Sequence, residues 1–341
     1  MSKIEWTDAT WNPIVGCSIL SPGCTNCYAM KMAARIEAMN RGIDDNGYAV
    51  RPAPGTGVHH YDGLTKRVNG NTIWTGKLAL APDRILREPM RRRRPTMYFV
   101  NSMGDLFHED TPTEWIDRVF AVMALSPQHT FQVLTKRSSL MRSYFRIDHD
   151  HDYQCRVDSQ IWSLLGTPEG TKIVHDGKWW ARWPLPNVWL GVSTERQKEA
   201  DERVPDLVAT PAAKRFVSAE PLLGPIDFRR WTIVGPEGGH EYAYSRSQLI
   251  DWIIVGGESG HGARPMERAW ADSIVQQCKA GGVAAFVKQL GAAFSDARNG
   301  IAGAALKVSR DAGGVSQRLR HRKGADMAEW PLSLKVREMP A

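Results

Sequence analysis

Six short runs of apolar residues along the chain end in the same way. They are MYFVNSMGD (97–105), FQVLTKR (131–137), VWLGVSTE (188–195), KRFVSAEP (214–221), DWIIVGGESG (251–260) and AAFVKQLG (284–291). Each is nearly continuous in apolar, β-branched or aromatic residues, then stops in glycine or polar residues. Runs of this kind predict strands buried on both faces, as in parallel sheets. Helical spacing follows them. Trp115, Val119, Phe120 and Val122 share one face after Thr113, and Trp270, Ile274, Val275 and Cys278 share another before Gly281-Gly282. A further strand around Trp11 to Val15 brings the number to seven.

Strand–helix alternation at this interval is the mark of βαβ units. An open doubly wound sheet and a (β/α) barrel both satisfy it. The barrel, partial or full, is the expected fold class, because every run ends in reactive or glycine-rich residues. A barrel gathers all its strand ends at one mouth, whereas an open sheet needs such ends only at its switch point. The expected barrel covers residues 1–291, with insertions at about 41–76, 142–187 and 229–250 that could serve as lids or partner surfaces. Residues 292–341 form an extension packed on it.

Composition narrows the class. Of 341 residues, 42% are hydrophobic and 24% charged, the balance of a globular protein. No apolar run approaches the ~20 residues that span a bilayer, and the opening MSKIEWTDATWNP lacks a signal-peptide core. A cytoplasmic protein without a membrane partner is expected. The net charge of +7 permits an anionic partner. Arg91-Arg92-Arg93-Arg94 contributes to it, as a phosphate contact or as the solvated end of a helix before Pro95. Aromatic residues such as Trp74, Trp179, Trp180 and Trp183 could stack on bases or fill a core.

The chemistry concentrates in VGCSILSPGCTNCYAM, residues 15–30, which carries Cys17, Cys24 and Cys27 out of five cysteines in the chain. In a reducing compartment these do not make a disulfide framework. Three thiolates leave zinc, an iron–sulfur cluster or inert thiols open. Zinc in a structural site wants four ligands, and neither Cys155 nor Cys278 stands at a finger-like distance. A cluster held by three cysteines leaves one iron free for a ligand. Placement after the first strand, at a barrel mouth, favours the cluster.

A three-cysteine loop after strand one, with Tyr28 beside the last cysteine, resembles the radical S-adenosylmethionine (radical SAM) superfamily. The usual spacing there is Cys-x3-Cys-x2-Cys, and this chain has six residues in the first gap, as outlying families do. More closely, WNPIVGC, CTNCYA, NSMGDLFHE, LTKR, GVSTE, SAEPLLGPID, DWIIVGGESG and FVKQLG resemble a phage-associated three-Cys-motif family across nearly the whole chain.

The resemblance implies a [4Fe-4S] cluster on Cys17, Cys24 and Cys27, with S-adenosylmethionine as the second cofactor. It also implies a 5′-deoxyadenosyl radical as the reactive product and a flavodoxin- or ferredoxin-like electron donor. Ser102, Gly104 and Asp105 would then receive the methionine amino group, and Lys136 or Arg137 its carboxylate. Ser193 and Glu195 would meet ribose hydroxyls, although Ser-Thr-Glu is also a good helix cap. Gly256 and Gly257 would let a cofactor lie on the backbone. Glu220, Glu258 and Lys288 are the candidate catalytic residues at strand ends, with a Lys288–glutamate ion pair as their plainer role. The expected substrate is a nucleobase or nucleic acid, handled alone or with a nucleic-acid-acting protein. A zinc-dependent nuclease or hydrolase on the same barrel and a non-enzymatic iron–sulfur partner protein are the rivals. The run Asp148-His149-Asp150-His151-Asp152 and the pair His59-His60 are expected to be exposed polar turns. No nucleophile elbow, Walker loop or HExxH helix is present.

Overall fold

A computed structural model describes residues 4–40, 42–43, 49–50, 58–146, 153–166, 184–233, 249–296, 308–311, 314–317 and 319–340. The run from Asp148 to Asp152 and the tryptophans 179, 180 and 183 lie outside the described residues. Two compact units divide the chain, Met1–Val188 and Trp189–Ala341. The class is mixed α/β, with seven parallel strands.

Three of these belong to the first unit: β1 (Ala9–Trp11), β2 (Met97–Val100) and β3 (Thr130–Thr135). They pair in parallel in that order, with Thr10 opposite Phe99 and Val100 opposite Val133. Strand β1 is shorter than its apolar pattern suggests. Pro13 offers no amide hydrogen to a ladder, and Ile14–Val15 turns away to pair antiparallel with Ala79–Leu80. Helix α1 (Tyr28–Met39) leaves the cysteine loop and buries Ala29, Met30 and Ala33 against Val15, Leu64 and Trp74. Trp74, one of the aromatics weighed for base stacking, is therefore a core residue. Helix α2 (Thr113–Ala124) buries Ile116, Val119, Phe120 and Met123. Helices α3 (Ser138–Tyr144) and α4 (Tyr153–Leu165) complete the described helices of eight or so residues in this unit.

Strand β4 (Val188–Ser193) begins at the division between the units. It is followed by β5 (Lys214–Ala219), β6 (Trp252–Gly256) and β7 (Ala284–Gln289), paired in parallel in chain order. The expected runs all fall on these strands. All five residues of β6 are buried, as a strand covered on both faces must be. Helix α5 (Gln197–Ala209) follows β4, and α6 (Arg268–Gly281) precedes β7 and stops at Gly282, whose φ of 65° is left-handed.

Residues 336–338 pack beside these strands. Val287 donates its amide to Val336, and Glu338 donates to Ala285, so residues 336–338 run along the outer edge of β7. Arg337 lies over the rings of Phe286 and Trp330. Among the described residues no helix is long and apolar enough to cross a membrane.

Candidate functional site

The cysteine loop is tied to the turn after β2. Asn101 ends that strand at φ 55°, a left-handed conformation that asparagine tolerates better than most residues. It accepts the Ile14 amide on its side-chain oxygen at 3.3 Å. Asn12 Oδ1 accepts from the Ser102 hydroxyl at 3.0 Å and the Met103 amide at 3.1 Å, and Gly16 donates to the Met103 carbonyl. A β-carbon on Gly104 would stand 2.9 Å from the Gly16 oxygen and 3.1 Å from that of Ile14. Glycine at 104 is therefore needed by the protein's own backbone. These contacts fix residues 12–16, and through them Cys17.

Asp105 is 5% exposed. Its carboxylate accepts from the Thr135 hydroxyl at 2.6 Å, the Lys136 amide at 3.0 Å, the Phe107 amide at 3.1 Å and Arg137 Nη1 at 3.2 Å. Four donors fill the acceptor capacity of a carboxylate. Arg137 is similarly engaged. Its Nε donates to Glu109 at 2.5 Å, its Nη2 to Ser18 Oγ at 2.5 Å, and its Nη1 points to the Cys17 sulfur at 3.7 Å as well as to Asp105. The guanidinium expected to take a substrate carboxylate is thus spent on two protein carboxylates and a cysteine.

His108, 3% exposed, closes the network. Its Nδ1 accepts the Asp110 amide at 3.1 Å, so the neutral ring carries its proton on Nε2, which donates to Ser18 Oγ at 2.9 Å. Ser18 then receives from His108 and Arg137, and its own proton goes to Glu109 Oε1 at 3.0 Å. Burial, and then the Arg137 charge, hold His108 below the ordinary histidine pKa. The Arg137 hydrogen bond pulls Glu109 down to about 2. Ser18, His108 and Glu109 were not singled out in the sequence, although His108 and Glu109 stand inside NSMGDLFHE.

The three thiols are near enough to act on one another. Burial, then Asp105, push Cys17 up to about 12, with Cys24 and Cys27 adding to the rise. Burial also raises Cys27, against the amides of Ala29 and Met30 in the first turn of α1. Tyr28, 47% exposed, donates its hydroxyl to the Ser102 carbonyl at 2.9 Å. Among the described residues no three of His, Cys, Asp and Glu form a ready-made group for a single metal ion.

The second unit carries its own cluster at the ends of β4–β7. Lys288 Nζ meets Glu220 Oε1 at 3.0 Å, with 22% and 13% of the side chains exposed. The Ser218 hydroxyl donates to Glu220 Oε2 at 3.2 Å, and the Ser193 hydroxyl to the Glu220 carbonyl at 3.3 Å. Gly256 makes room for this pair, because a β-carbon there would fall 2.4 Å from Glu220 Oε1. At Gly257 a β-carbon would fall 2.3 Å from the Leu290 oxygen. Both glycines thus serve internal packing.

Glu258 is held by Arg264 through two side-chain bonds, at 3.0 and 2.6 Å, and by the Arg264 amide at 2.8 Å. Glu195, fully buried, pairs with Arg203 at 3.1 Å, and Arg203 also donates to the Ser193 carbonyl at 2.6 Å. Of the strand-end carboxylates considered, Glu220 has the most exposed side chain, at 13% against 6% for Glu258 and 0% for Glu195.

No curated protein matches the chain, and no solved structure does. A family model described as "Protein of unknown function (DUF5131)" matches residues 1–329, so the chain belongs to that family.

Proposed function

We propose that this protein is a radical SAM-type enzyme on a partial (β/α) barrel, with a [4Fe-4S] cluster held by Cys17, Cys24 and Cys27. One observation carries the reading: three cysteines on one short loop that follows the first parallel strand, with Arg137 Nη1 at 3.7 Å from one of the sulfurs. The donor set suits the group. Thiolate ligands bring negative charge, and a guanidinium N–H together with helix-start amides offsets it. Bound together, the cluster and S-adenosylmethionine supply an electron and a 5′-deoxyadenosyl radical, chemistry that belongs to the cofactors.

The chain's part is to bind and orient. Because burial favours the neutral thiols of Cys17 and Cys27, metal binding must expel their protons, so loading is expected to release acid. Asp105 aims Arg137 at Cys17, and Ser18 locks the loop beside it. Tyr28 and Ser102 hold the start of α1 to the turn after β2. Ser102 and Lys136 remain the candidates for methionine, and Ser193 for ribose, whereas Gly104 serves the backbone and Glu195 is taken by Arg203. Glu220 and Lys288, an ion pair at 3.0 Å, are assigned proton transfer. A flavodoxin- or ferredoxin-like donor, a phage or prophage setting and a nucleobase or nucleic acid as substrate come with the same reading.

Anaerobic purification with iron, sulfide and zinc analysis tests it. The expected protein is brown, holds iron and sulfide, and releases 5′-deoxyadenosine when reduced with S-adenosylmethionine. A colourless protein holding stoichiometric zinc would overturn the cluster. A brown protein that never yields 5′-deoxyadenosine would overturn the enzymatic role.

A further inference from the structure

Every N–H of the Arg137 guanidinium has an acceptor. Nε donates to Glu109 Oε2 at 2.5 Å. Nη2 donates to Ser18 Oγ at 2.5 Å and to Glu109 Oε1 at 3.5 Å. Nη1 carries two hydrogens and stands 3.2 Å from Asp105 Oδ2 and 3.7 Å from Cys17 Sγ. The bonds to oxygen hold the group in place. The remaining hydrogen is presented to sulfur.

The oxygen partners are themselves fixed. Asp105 is held by the Thr135 hydroxyl and by the amides of Phe107 and Lys136. Ser18 accepts from His108 as well and donates to Glu109. The Cys17 thiol turns its own hydrogen to the Ser18 carbonyl at 3.4 Å, which leaves the sulfur lone pairs to Nη1. A planar fork is the side chain that can serve all these acceptors at once. The arrangement places a fixed cationic donor on one sulfur and two carboxylates behind it, Asp105 7% exposed and Glu109 52% exposed.

Resting on the assignment of a cluster to Cys17, Cys24 and Cys27, we propose that Arg137 is a positioning residue that sets the reduction potential of that cluster, with its N–H bond to Cys17 Sγ favouring the reduced state and Asp105 and Glu109 opposing it. Reduction adds one electron from the external donor and makes the cluster more negative, with no bond in the protein formed or broken. A cation and a hydrogen bond at a ligating sulfur stabilise that added charge, and a neighbouring carboxylate destabilises it. The guanidinium and the carboxylates therefore pull the potential in opposite directions.

The test uses the full-length protein after anaerobic reconstitution, titrated with dithionite and redox mediators, with the reduced fraction followed by electron paramagnetic resonance. Arg137→Lys keeps a cation and loses the fork. At the wild-type midpoint its ratio of reduced to oxidised cluster should fall about tenfold, a shift of ~59 mV for one electron. Glu109→Gln removes a half-exposed charge that the fold can spare. Its ratio should rise about threefold, in keeping with the small worth of an exposed charge. Wild-type protein that holds no iron and sulfide overturns the cluster assignment, and this proposal with it. Loaded protein whose variants both titrate with the wild type, or shift in the same direction, overturns the potential-setting role and leaves the cluster standing. If Arg137→Lys does not load, Glu109→Gln decides: a raised ratio supports the proposal and an unchanged or lowered one overturns it.

Discussion

Arg137 reaches Cys17 and Asp105 with one nitrogen: Nη1 lies 3.7 Å from the sulfur and 3.2 Å from the carboxylate. The arginine and aspartate side chains are 4% and 7% exposed, so neither charge has water to fall back on. Replacing Arg137 by alanine should therefore cost about 3–5 kcal/mol, the penalty for stranding one partner of a buried pair. Arg137→Lys keeps the charge and loses the fork, and its urea midpoint should fall between those of the wild type and the alanine variant. An alanine variant with the wild-type midpoint would show that the network is idle.

Cys24→Ala should abolish iron binding after anaerobic reconstitution, and Cys278→Ala should retain it. Cys278 is 1% exposed on α6 in the second unit, a small buried hydrophobe in its role. Iron and sulfide assays on both variants decide this, and equal iron content in the two refutes the ligand assignment.

Gly256→Ala should destabilise the second unit by about 1–3 kcal/mol, the usual cost of overpacking. The new methyl would sit 2.4 Å from Glu220 Oε1 and push that carboxylate off Lys288. Made in a Glu220→Ala background, the same change should cost less, and a double-mutant cycle on urea midpoints measures the difference. Simple additivity would mean that the strand yields rather than the glutamate.

Stability should fall as pH drops from about 6.5 toward 4. His60 has its pKa lowered from 6.5 to about 4, first by burial and then by Arg84. Between those values the unfolded chain binds the proton and the folded one does not, so stability is complete above the upper value and declines below it. Glu109, held down to about 2 mainly by its hydrogen bond to Arg137, adds a smaller loss from 4.5 downward. Its side chain is 52% exposed, which limits that contribution to under about 1 kcal/mol. His60→Asn should flatten the upper part of the profile in urea titrations. A profile as steep as that of the wild type would place the acid sensitivity elsewhere.

The parallel strands were legible because burial on both faces leaves a nearly unbroken apolar run, as in Trp252–Gly256. The end of α6 was legible because only a residue like Gly282 adopts its left-handed φ readily. Partner choice at the strand ends was not. Glu258 turns to Arg264 and Glu195 to Arg203, and nothing in a linear pattern says which nearby arginine folds back. Lys288 with Glu220 was within reach of the reading because both close apolar runs. His60, expected in an exposed polar turn, is instead part of a cavity wall, because Val58 and Tyr61 beside it line that cavity and draw the segment inward.

The strip of residues 336–338 along β7 has a practical meaning for handling the protein. An uncovered strand edge is a template for pairing with another chain, and here the last residues supply the cover. Deleting residues 336–338, or replacing Val336 and Arg337 by proline, would peel that cover away. The preparation would then turn from monodisperse to sticky with the cysteine loop and the strand-end carboxylates untouched.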